Sequence, residues 1–155
     1  MSHKAINLKF NKGTVIEVTF QDGVVKQYDM ANLFEKYPGL TALTNRKLFL
    51  SGRLAGFYGI IWNEDLDLET ETVYQSGITV RKDKPAENAE IGQIVLAARA
   101  QKGFSQKELS ELTGIDQSDI SKIERGIANP SVGTLRRIAN ALGVRLVVSM
   151  EEKEL

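Results

Sequence analysis

The chain has 155 residues with no cysteine and a single histidine, which excludes disulfide bonds and thiolate chemistry and nearly excludes histidine-based catalytic triads and metal sites. Its 20 basic residues are balanced by 20 acidic residues, and a formal net charge of zero argues against a general polyanion binder. No apolar run approaches the roughly 20 residues that span a bilayer and no signal-peptide pattern opens the chain, so we expect a cytoplasmic protein without membrane contacts.

Strand-like periodicity dominates the first part of the chain, after an amino terminus that holds His3 and is expected to be frayed. The segments INLKF and TVIEVTF alternate in polarity or are rich in β-branched residues, which is typical of strands. QDG then supplies a hairpin turn whose Gly23 tolerates a positive φ, and VVKQYDM is the predicted returning strand. Together these elements predict an antiparallel sheet.

The elements that follow complete a small α+β domain. MANLFEKY predicts a short helix that stops at Pro38-Gly39. After an irregular stretch, FYGIIWN and LETETVY are predicted to be strands. We therefore expect residues 1–82 to form an α+β domain with an antiparallel sheet, whose role the pattern does not define.

Acidic residues are concentrated in WNEDLDLE, where four carboxylates lie close together as in a calcium loop. The segment lacks the glycine and the ligand spacing of an EF-hand, so we expect a solvated turn and assign no metal. Other carboxylates of this half, such as Asp22 and Asp29, have no cysteine, no phosphate-cradling glycine motif and no histidine except His3 beside them. We therefore predict no catalytic residue, no cofactor and no enzyme, and a small-molecule sensor stays open as a role. The aromatic residues expected in the core are Phe57, Tyr58 and Trp62.

The pattern changes at RKDKPAEN, residues 81–88. This stretch is highly charged, contains Pro85 and holds no large apolar residue, which is typical of a linker. We place the linker at residues 83–89 and a second domain at residues 90–155.

Helical periodicity begins after the linker. IGQIVLAARAQKG and SQKELSELTG predict two helices in succession. Ser105 and Glu108 form a capping-box pair at the start of the second of these, and Gly114 is expected to end it in a left-handed conformation. The inward stripe of the first helix is predicted to consist of Ile91, Ile94, Val95 and Ala98.

Two further helices and a short strand are predicted in the second domain. DQSDISKIERG predicts a helix over residues 116–125, with Asp116 as its N-cap and Asp119 as a reciprocal partner at the helix start. SVGTLRRIANALG, capped by Ser131, predicts a fourth helix. VRLVVSM is a β-branched run and predicts a C-terminal strand before the acidic tail EEKEL. Such a strand has two open roles, as an edge strand in a dimer or docked on the amino-terminal sheet of its own chain.

The second domain carries a positive charge that the average hides. Residues 91–148 contain eight basic residues and five acidic residues, a net charge of +3. The compensating acids lie mainly outside this range, for instance Glu87, Glu90 and the tail. We therefore expect a modest basic face on the helical domain.

Framework residues in these four helices carry a family resemblance. They begin with QKEL, continue through TGI at the turn and ISKIERG, and close with NPS and LRRIANALG. Residues 91–143, about a third of the chain, thereby resemble the Xre/Cro family of helix-turn-helix repressors. One departure is Ser110, where that family usually carries alanine, and serine is small enough to keep the close helix contact. The resemblance implies an all-α, λ-repressor-like fold that binds double-stranded DNA and regulates transcription.

In such a helix pair the second helix fits the major groove, which is roughly 12 Å wide, with its amino-terminal turn toward the base edges. Ile120 and Ile123 must face the core, so the polar residues on the other side are the candidates for base contacts. Glutamine pairs with adenine, lysine reaches guanine and serine is permissive, and a solvated helix face is the alternative. The candidates are Gln117, Ser118, Ser121 and Lys122.

Three residues are candidates for phosphate contacts. The resemblance implies that Gln106, in the first turn of its helix, fixes the register on the DNA backbone, and free amides at a helix start suit a phosphate. Lys107 and Arg137 add positive charge for phosphates or are ordinary solvated residues. The resemblance also implies a salt bridge between Arg99 and Glu124 that ties the first helix to the recognition helix, with a phosphate contact of Arg99 as the alternative.

The amino-terminal half shows a second, fainter resemblance. GIIWNEDLDLETETVY resembles the closing signature of a small uncharacterised bacterial α+β domain that is sometimes attached to helix-turn-helix modules. That resemblance implies a fold and assigns no activity.

Together these patterns predict a sequence-specific DNA-binding transcriptional regulator, a dimeric repressor that reads the major groove with the helix at residues 116–125. A homodimer is expected because one small domain makes few contacts, and two half-sites restore affinity. The alternative is an antitoxin-like protein whose amino-terminal domain binds a partner protein and whose carboxy-terminal domain autoregulates the pair.

Overall fold

The structure, a computed structural model, describes residues 2–153. The strands, in chain order, are β1 (Ala5–Phe10), β2 (Val15–Phe20), β3 (Val24–Asp29), β4 (Arg53–Ala55), β5 (Gly59–Asn63), β6 (Leu66–Glu69) and β7 (Ile78–Lys82). They form two antiparallel sheets, one with the order β1-β2-β3-β7 and the other with the order β4-β5-β6. The helices are α1 (Arg46–Leu50), α2 (Thr70–Ser76), α3 (Ala89–Gln101), α4 (Gln106–Thr113), α5 (Gln117–Glu124) and α6 (Val132–Ala141). The predicted α+β half with an antiparallel sheet and the predicted helical half are both confirmed.

The predicted hairpin forms between β2 and β3. Gly23 takes a φ of 91° at the turn, and its N–H donates to the Phe20 carbonyl over 2.9 Å. The Asp22 carboxylate accepts a hydrogen bond from the Val24 N–H over 2.9 Å. This local side-chain bond fixes the turn and hence the register of the returning strand.

β2 supplies the centre of the amino-terminal core. Ile16, Val18 and Phe20 alternate along the strand and are fully buried, as the two-residue period of a strand requires. Phe49 of α1 packs in the same cluster, and its carbonyl accepts a hydrogen bond from the Trp62 indole N–H over 2.9 Å. Burying each of these large apolar side chains contributes about 1.5–3 kcal/mol to folding.

The helix predicted over MANLFEKY is a single 3-10 turn at Met30–Leu33. Pro38, predicted only to stop that helix, starts a second 3-10 helix at Pro38–Thr44, because proline is favourable in the first turn, where its missing N–H has no partner to lose. Tyr58, predicted in the core, is 48% exposed, whereas Trp62 is buried as expected.

The strand predicted over LETETVY ends at Glu69, and the chain continues as α2. Thr70 and Val73 are both fully buried, a spacing of three that suits one face of a helix and would place them on opposite faces of a strand. The Thr70 hydroxyl donates to the Phe57 carbonyl over 3.3 Å. Packing of this face against the sheets decides for the helix over the β-propensity of threonine and valine.

β7 reads ITVRK, which alternates apolar and polar residues at its start, although all of its residues are exposed. It pairs antiparallel with β3, with Arg81 opposite Val25. Arg81 also forms ion pairs with Glu17 over 3.1 Å and with Asp83 over 3.0 Å. The charged run at residues 81–88 therefore begins inside a sheet.

Residues 83–88 connect β7 to α3 and are hydrogen-bonded at both ends. Ala86 is fully buried, and its N–H donates to the Gln21 carbonyl over 2.7 Å. The Asn88 N–H donates to the Gly126 carbonyl over 3.1 Å. The segment thus has defined bonds to the β2–β3 turn on one side and to the end of α5 on the other.

α3 to α6 pack around a second core, as predicted. Ile94, expected in the inward stripe of α3, is instead 69% exposed, because α3 turns Gly92 and Val95 toward α5. No helix among residues 2–153 has the length and apolarity needed to cross a membrane. The buried members of this core are Val95, Leu109, Ile120, Ile123, Ile138 and Leu142.

The C-terminal strand predicted over VRLVVSM is wrong for the single chain, because residues 144–153 contain neither helix nor strand. A strand needs a hydrogen-bonded neighbour, and neither sheet includes this segment. Val147 and Val148 are 71% and 66% exposed. The segment therefore does not dock on the amino-terminal sheet of its own chain.

Candidate nucleic-acid interface

α4 and α5 meet at a turn that side chains hold in place. Gly114 takes a φ of 74°, the left-handed conformation predicted for it, and its N–H donates to the Ser110 carbonyl over 2.8 Å. The Ser110 hydroxyl donates to the Ile115 carbonyl over 2.6 Å, and Thr113 Oγ1 accepts a hydrogen bond from the Ile115 N–H over 3.2 Å. Serine at position 110 therefore stabilises the turn besides fitting between the helices.

The exposed edge of α5 carries all four residues predicted to contact bases. Ile120 and Ile123 are buried on the opposite side. Gln117, Ser118 and Lys122 are exposed and Ser121 is half-buried. None of the four side chains forms a hydrogen bond or ion pair with another residue in the range 2–153. Residues four apart lie on one face of a helix, so these four side chains form two adjacent rows, Gln117 with Ser121 and Ser118 with Lys122. Both rows are free for an external partner.

The start of α5 differs in one respect from the sequence prediction. Asp116 occupies the N-cap position, but its side chain makes no capping bond. The bond to Asp119 runs through the backbone, from the Asp119 N–H to the Asp116 carbonyl over 3.0 Å. Both carboxylates are exposed, so they interact favourably with the helix dipole without forming the predicted reciprocal pair.

Glu124, at the end of α5, is bound by donors from two other helices. Its side chain is only 1% exposed, and Arg99 of α3 donates to it from Nε over 2.5 Å and from Nη2 over 3.1 Å. Arg99 Nη1 also donates to the Phe104 carbonyl over 2.8 Å. All three nitrogens of the Arg99 guanidinium thus donate to acceptors within the protein. Arg99 therefore links α3 to α5.

Gln106 takes part in the same link. Its Nε2 donates to Glu124 Oε2 over 3.0 Å, so one amide hydrogen is used inside the protein. The second amide hydrogen and the backbone N–H at the first position of α4 stay available, as four N–H groups at a helix start have no intrahelical acceptor. Lys107 and Arg137 are exposed on α4 and α6, with no ion pair among residues 2–153.

Two contacts that position α5 have only weak signals in the sequence. The Asn88 side chain donates to the Ala128 carbonyl over 2.9 Å. An asparagine just before a helix predicts a capping bond to that helix, but the Asn88 side chain makes none, so the sequence marks the residue without predicting this contact. Gly92 lets α3 approach α5 so closely that an added Cβ would lie 2.5 Å from the Ile123 carbonyl oxygen. A glycine inside a helical pattern is the corresponding signal.

No group of three or more metal-binding side chains occurs within residues 2–153, which includes the acidic segment WNEDLDLE.

Comparison with known families gives two adjacent matches. Residues 95–148 match the family described as helix-turn-helix. Residues 5–79 match the family described as a protein of unknown function (DUF2442). The first match contains the whole of α4, α5 and α6, and the second contains both amino-terminal sheets except for the end of β7.

The similar proteins are HTH-type transcriptional regulators, and each matches only part of this chain. The uncharacterized HTH-type transcriptional regulator y4dL of Sinorhizobium fredii is 44% identical over 38% of this chain and 30% of its own length. The HTH-type transcriptional regulator SinR of Bacillus subtilis is 38% identical over 41% of this chain and 58% of its own. A second Sinorhizobium fredii regulator, y4dJ, is 41% identical over 35% of this chain and 70% of its own. The chain thus spans less than two thirds of y4dL and SinR and more than two thirds of y4dJ.

Proposed function

Because the chain belongs to the helix-turn-helix family of transcriptional regulators, we propose that it is a sequence-specific repressor that reads the major groove with α5. The observation that carries the proposal is the edge of α5, where Gln117, Ser118 and Lys122 are exposed and have no partner within residues 2–153. Glutamine makes a bidentate contact to adenine and lysine reaches guanine, each worth about 1–3 kcal/mol of discrimination.

Phosphate contacts in this proposal come from the residues around that edge. The start of α4 offers the Gln106 backbone N–H and the Lys107 ammonium, and Arg137 adds a guanidinium from α6. Such contacts fix the position of the protein on the duplex and carry no sequence information. Occupation of the operator is then enough for repression, because the bound protein excludes other proteins from the same DNA.

The active species in this proposal is a homodimer. One copy offers a single recognition helix, whereas two copies read half-sites about 34 Å apart. The segment at residues 144–150, which forms neither helix nor strand, supports the dimer, since Val147, Val148 and Met150 are exposed and would be covered by the same segment of a second copy. The sequence-based strand prediction would then hold only between two chains.

DNA selection from a random pool, followed by fluorescence anisotropy with the selected site and a scrambled one, tests the recognition helix. The double variant Gln117→Ala/Lys122→Ala is expected to lower the preference between the two sites by at least about tenfold, the discrimination that a single base contact provides.

The matched control is Gln101→Ala/Lys102→Ala, which removes the same two residue types from exposed positions at the end of α3. It should leave the preference unchanged. If Gln117→Ala/Lys122→Ala discriminates as well as the wild type, α5 is not the recognition helix.

Light scattering of two truncated chains tests the dimer. Deletion of residues 144–155 should give a monomer, whereas deletion of residues 151–155, which removes only the acidic tail, should keep the dimer. Equal masses for the two truncated chains would contradict a dimer formed through residues 144–150.

A second candidate, an antitoxin-like protein, is favoured by the outer edge of β7. Ile78 and Val80 are 74% and 42% exposed, and within residues 2–153 this strand is paired on one side only. An open edge of this kind accepts an extended segment of another protein through backbone hydrogen bonds.

Co-expression with the product of the neighbouring gene tests this candidate. Copurification with the wild type and its absence with Ile78→Lys/Val80→Lys, with DNA preference retained, would support a partner at β7. Absence of a complex with the wild type would contradict it and leave the repressor proposal intact.

A further inference from the structure

Arg125, the residue directly after α5, lies outside the set of DNA contacts described above. It is half-buried, and its backbone keeps helical values of φ and ψ, −80° and −4°. It therefore continues the spacing of α5 by one residue. Because it follows Ser121 by four residues, it extends the row that Gln117 and Ser121 form on the exposed side of the helix.

The side chain of Arg125 folds back along this row toward the start of α5. Its Nε donates to the Ser121 carbonyl over 3.3 Å, which lies one turn earlier in the helix. A turn rises about 5.4 Å, so the guanidinium lies closer to the amino-terminal edge of α5 than the Arg125 backbone does. Ser118 and Ser121 carry short side chains, which leaves room for the guanidinium on this face.

The terminal nitrogens of the Arg125 guanidinium are unused within the part of the chain that the structure describes. Neither Nη1 nor Nη2 has a hydrogen-bond acceptor or a carboxylate partner among residues 2–153. Arg99 is the contrasting case, since its three guanidinium nitrogens all donate to acceptors within the protein. A guanidinium is always charged and presents its N–H groups in a fixed fork, so Arg125 offers an open fork to an external partner.

The direction of Arg125 favours base edges over phosphates. Ile120, Ile123 and Glu124 define the buried side of α5. At about 100° per residue, Ser118 and Arg125 both lie within about 40° of the direction opposite to that side. The middle of the exposed side of a recognition helix faces the floor of the major groove, where the base edges lie. A fork of two N–H groups matches O6 and N7 of guanine, and this is the commonest specific contact of arginine.

We propose that Arg125 is a specificity-determining residue that donates from Nη1 and Nη2 to O6 and N7 of a guanine in each half-site. This inference rests on the proposed function, because it requires α5 to lie in the major groove. Arg125 lies about 12 Å beyond Gln117 along the helix axis, so the guanine belongs to a different base pair from the one that Gln117 contacts.

Fluorescence anisotropy with the operator that the wild type selects tests this contact. Each guanine of one half-site is replaced in turn by 7-deazaguanine, which lacks the N7 acceptor and keeps Watson–Crick pairing. We expect the wild type to lose about tenfold in affinity at the guanine that Arg125 contacts. Arg125→Met, which keeps an apolar stem and has no donor, should bind the unmodified operator more weakly and show no further loss at that guanine.

The matched control is Arg137→Met, which removes the same residue type from an exposed position of α6. Arg137 is assigned to a phosphate in the proposed function, so this variant should keep the wild-type loss at every guanine. A structural role of Arg125 at the end of α5 would weaken binding to all of these operators equally and would leave the loss at each guanine unchanged.

Two results would overturn the inference, and they differ in what they mean for the proposed function. If Arg125→Met loses affinity at the same guanines as the wild type, Arg125 contacts a phosphate or only protein atoms, and the proposed function stands. If the wild type selects no site from the random pool, the proposed function fails and the inference fails with it.

Discussion

The carboxylate of Glu124 shows how one side chain holds the helical half together. It is almost completely enclosed and receives hydrogen bonds from Arg99 and Gln106. A buried charge of this kind is tolerated only when it is paired and hydrogen-bonded. The pair therefore restrains the carboxyl-terminal end of α5 against α3 and α4.

Removal of one partner of this pair should be costly. Arg99→Met leaves Glu124 buried without its cation, so we expect the free energy of unfolding to fall by about 3 kcal/mol in urea denaturation. Arg99→Met/Glu124→Leu removes both charges and should be destabilised much less.

Lys102→Met is the matched control, because Lys102 is exposed just after α3. It should change the free energy of unfolding by less than about 0.5 kcal/mol. A midpoint for Arg99→Met equal to that of the wild type would show that the pair contributes nothing to stability.

Glu71 attaches the amino terminus, which was expected to be frayed. Its Oε2 accepts the His3 backbone N–H over 2.8 Å and its Oε1 accepts a hydrogen bond from Gln75 over 2.7 Å. The His3 ring stacks on Tyr74 with 3.4 Å between centroids. The bond from the His3 N–H, followed by that from Gln75, lowers the pKa of Glu71 from 4.5 to about 2.

We expect Glu71→Gln to lower the free energy of unfolding near neutral pH. The folded-state pKa lies below the unfolded value, so the carboxylate stabilises the fold above about pH 4.5 and loses this effect as the pH falls toward 2. Denaturation of both proteins at pH 7, 4 and 3 should therefore show a difference that shrinks with acid. A difference that grows with acid would contradict this role.

At the scale of elements, the contact of α3 with α5 depends on a glycine. A Cβ at Gly92 would lie 2.5 Å from the Ile123 carbonyl oxygen and 2.8 Å from the Glu124 carbonyl carbon, both backbone atoms. Gly133, in α6, has only Ser131 Oγ near that position, at 3.7 Å. The two helical glycines thus differ in whether they have room for a side chain.

Alanine should therefore have opposite effects at these two positions. Gly92→Ala is expected to destabilise the chain by about 1–3 kcal/mol, because the two helices must separate. Gly133→Ala should stabilise it by up to about 1 kcal/mol through helix propensity alone. Thermal unfolding measures both, and shifts of the same sign would contradict the close contact.

Elements with local signals were predictable and those that depend on distant packing were not. The helix starts at Ser105 and Ser131 follow from side chains that cap their own backbones. α2 was missed because burial of Thr70 against residues far along the chain overrides its local preference. β7 was missed although Ile78 and Val80 alternate with polar residues, because the strand is short and its end lies in the charged stretch at residues 81–88.

The same distinction applies to the candidate sites. The exposed edge of α5 follows from the spacing of Ile120 and Ile123, since a helix that buries these two on one side exposes residues on its opposite side. The hydrogen bond between Gln106 and Glu124 joins α4 and α5, and its partners are 18 residues apart in the sequence. No local pattern predicts it.

For the whole molecule, a formal charge of zero coexists with a basic helical half, so DNA binding should depend on few cations. Lys107→Gln and Arg137→Gln each remove one cation that can neutralise a phosphate. Each variant should therefore reduce the slope of log K against log salt by about one, without changing sequence preference. Lys9→Gln, at an exposed position of β1, is the control. A changed preference in Lys107→Gln would mean that this residue reads bases.

The hydrogen bonds at the two ends of residues 83–88 have a consequence for the position of the sheets beside an operator. One joins Ala86 to the β2–β3 turn and the other joins Asn88 to Gly126, two residues beyond α5, so both ends of the connection are restrained. In the proposed complex each amino-terminal domain would then keep one orientation relative to the DNA. A partner bound at the outer edge of β7 would accordingly meet the neighbouring DNA at a defined place.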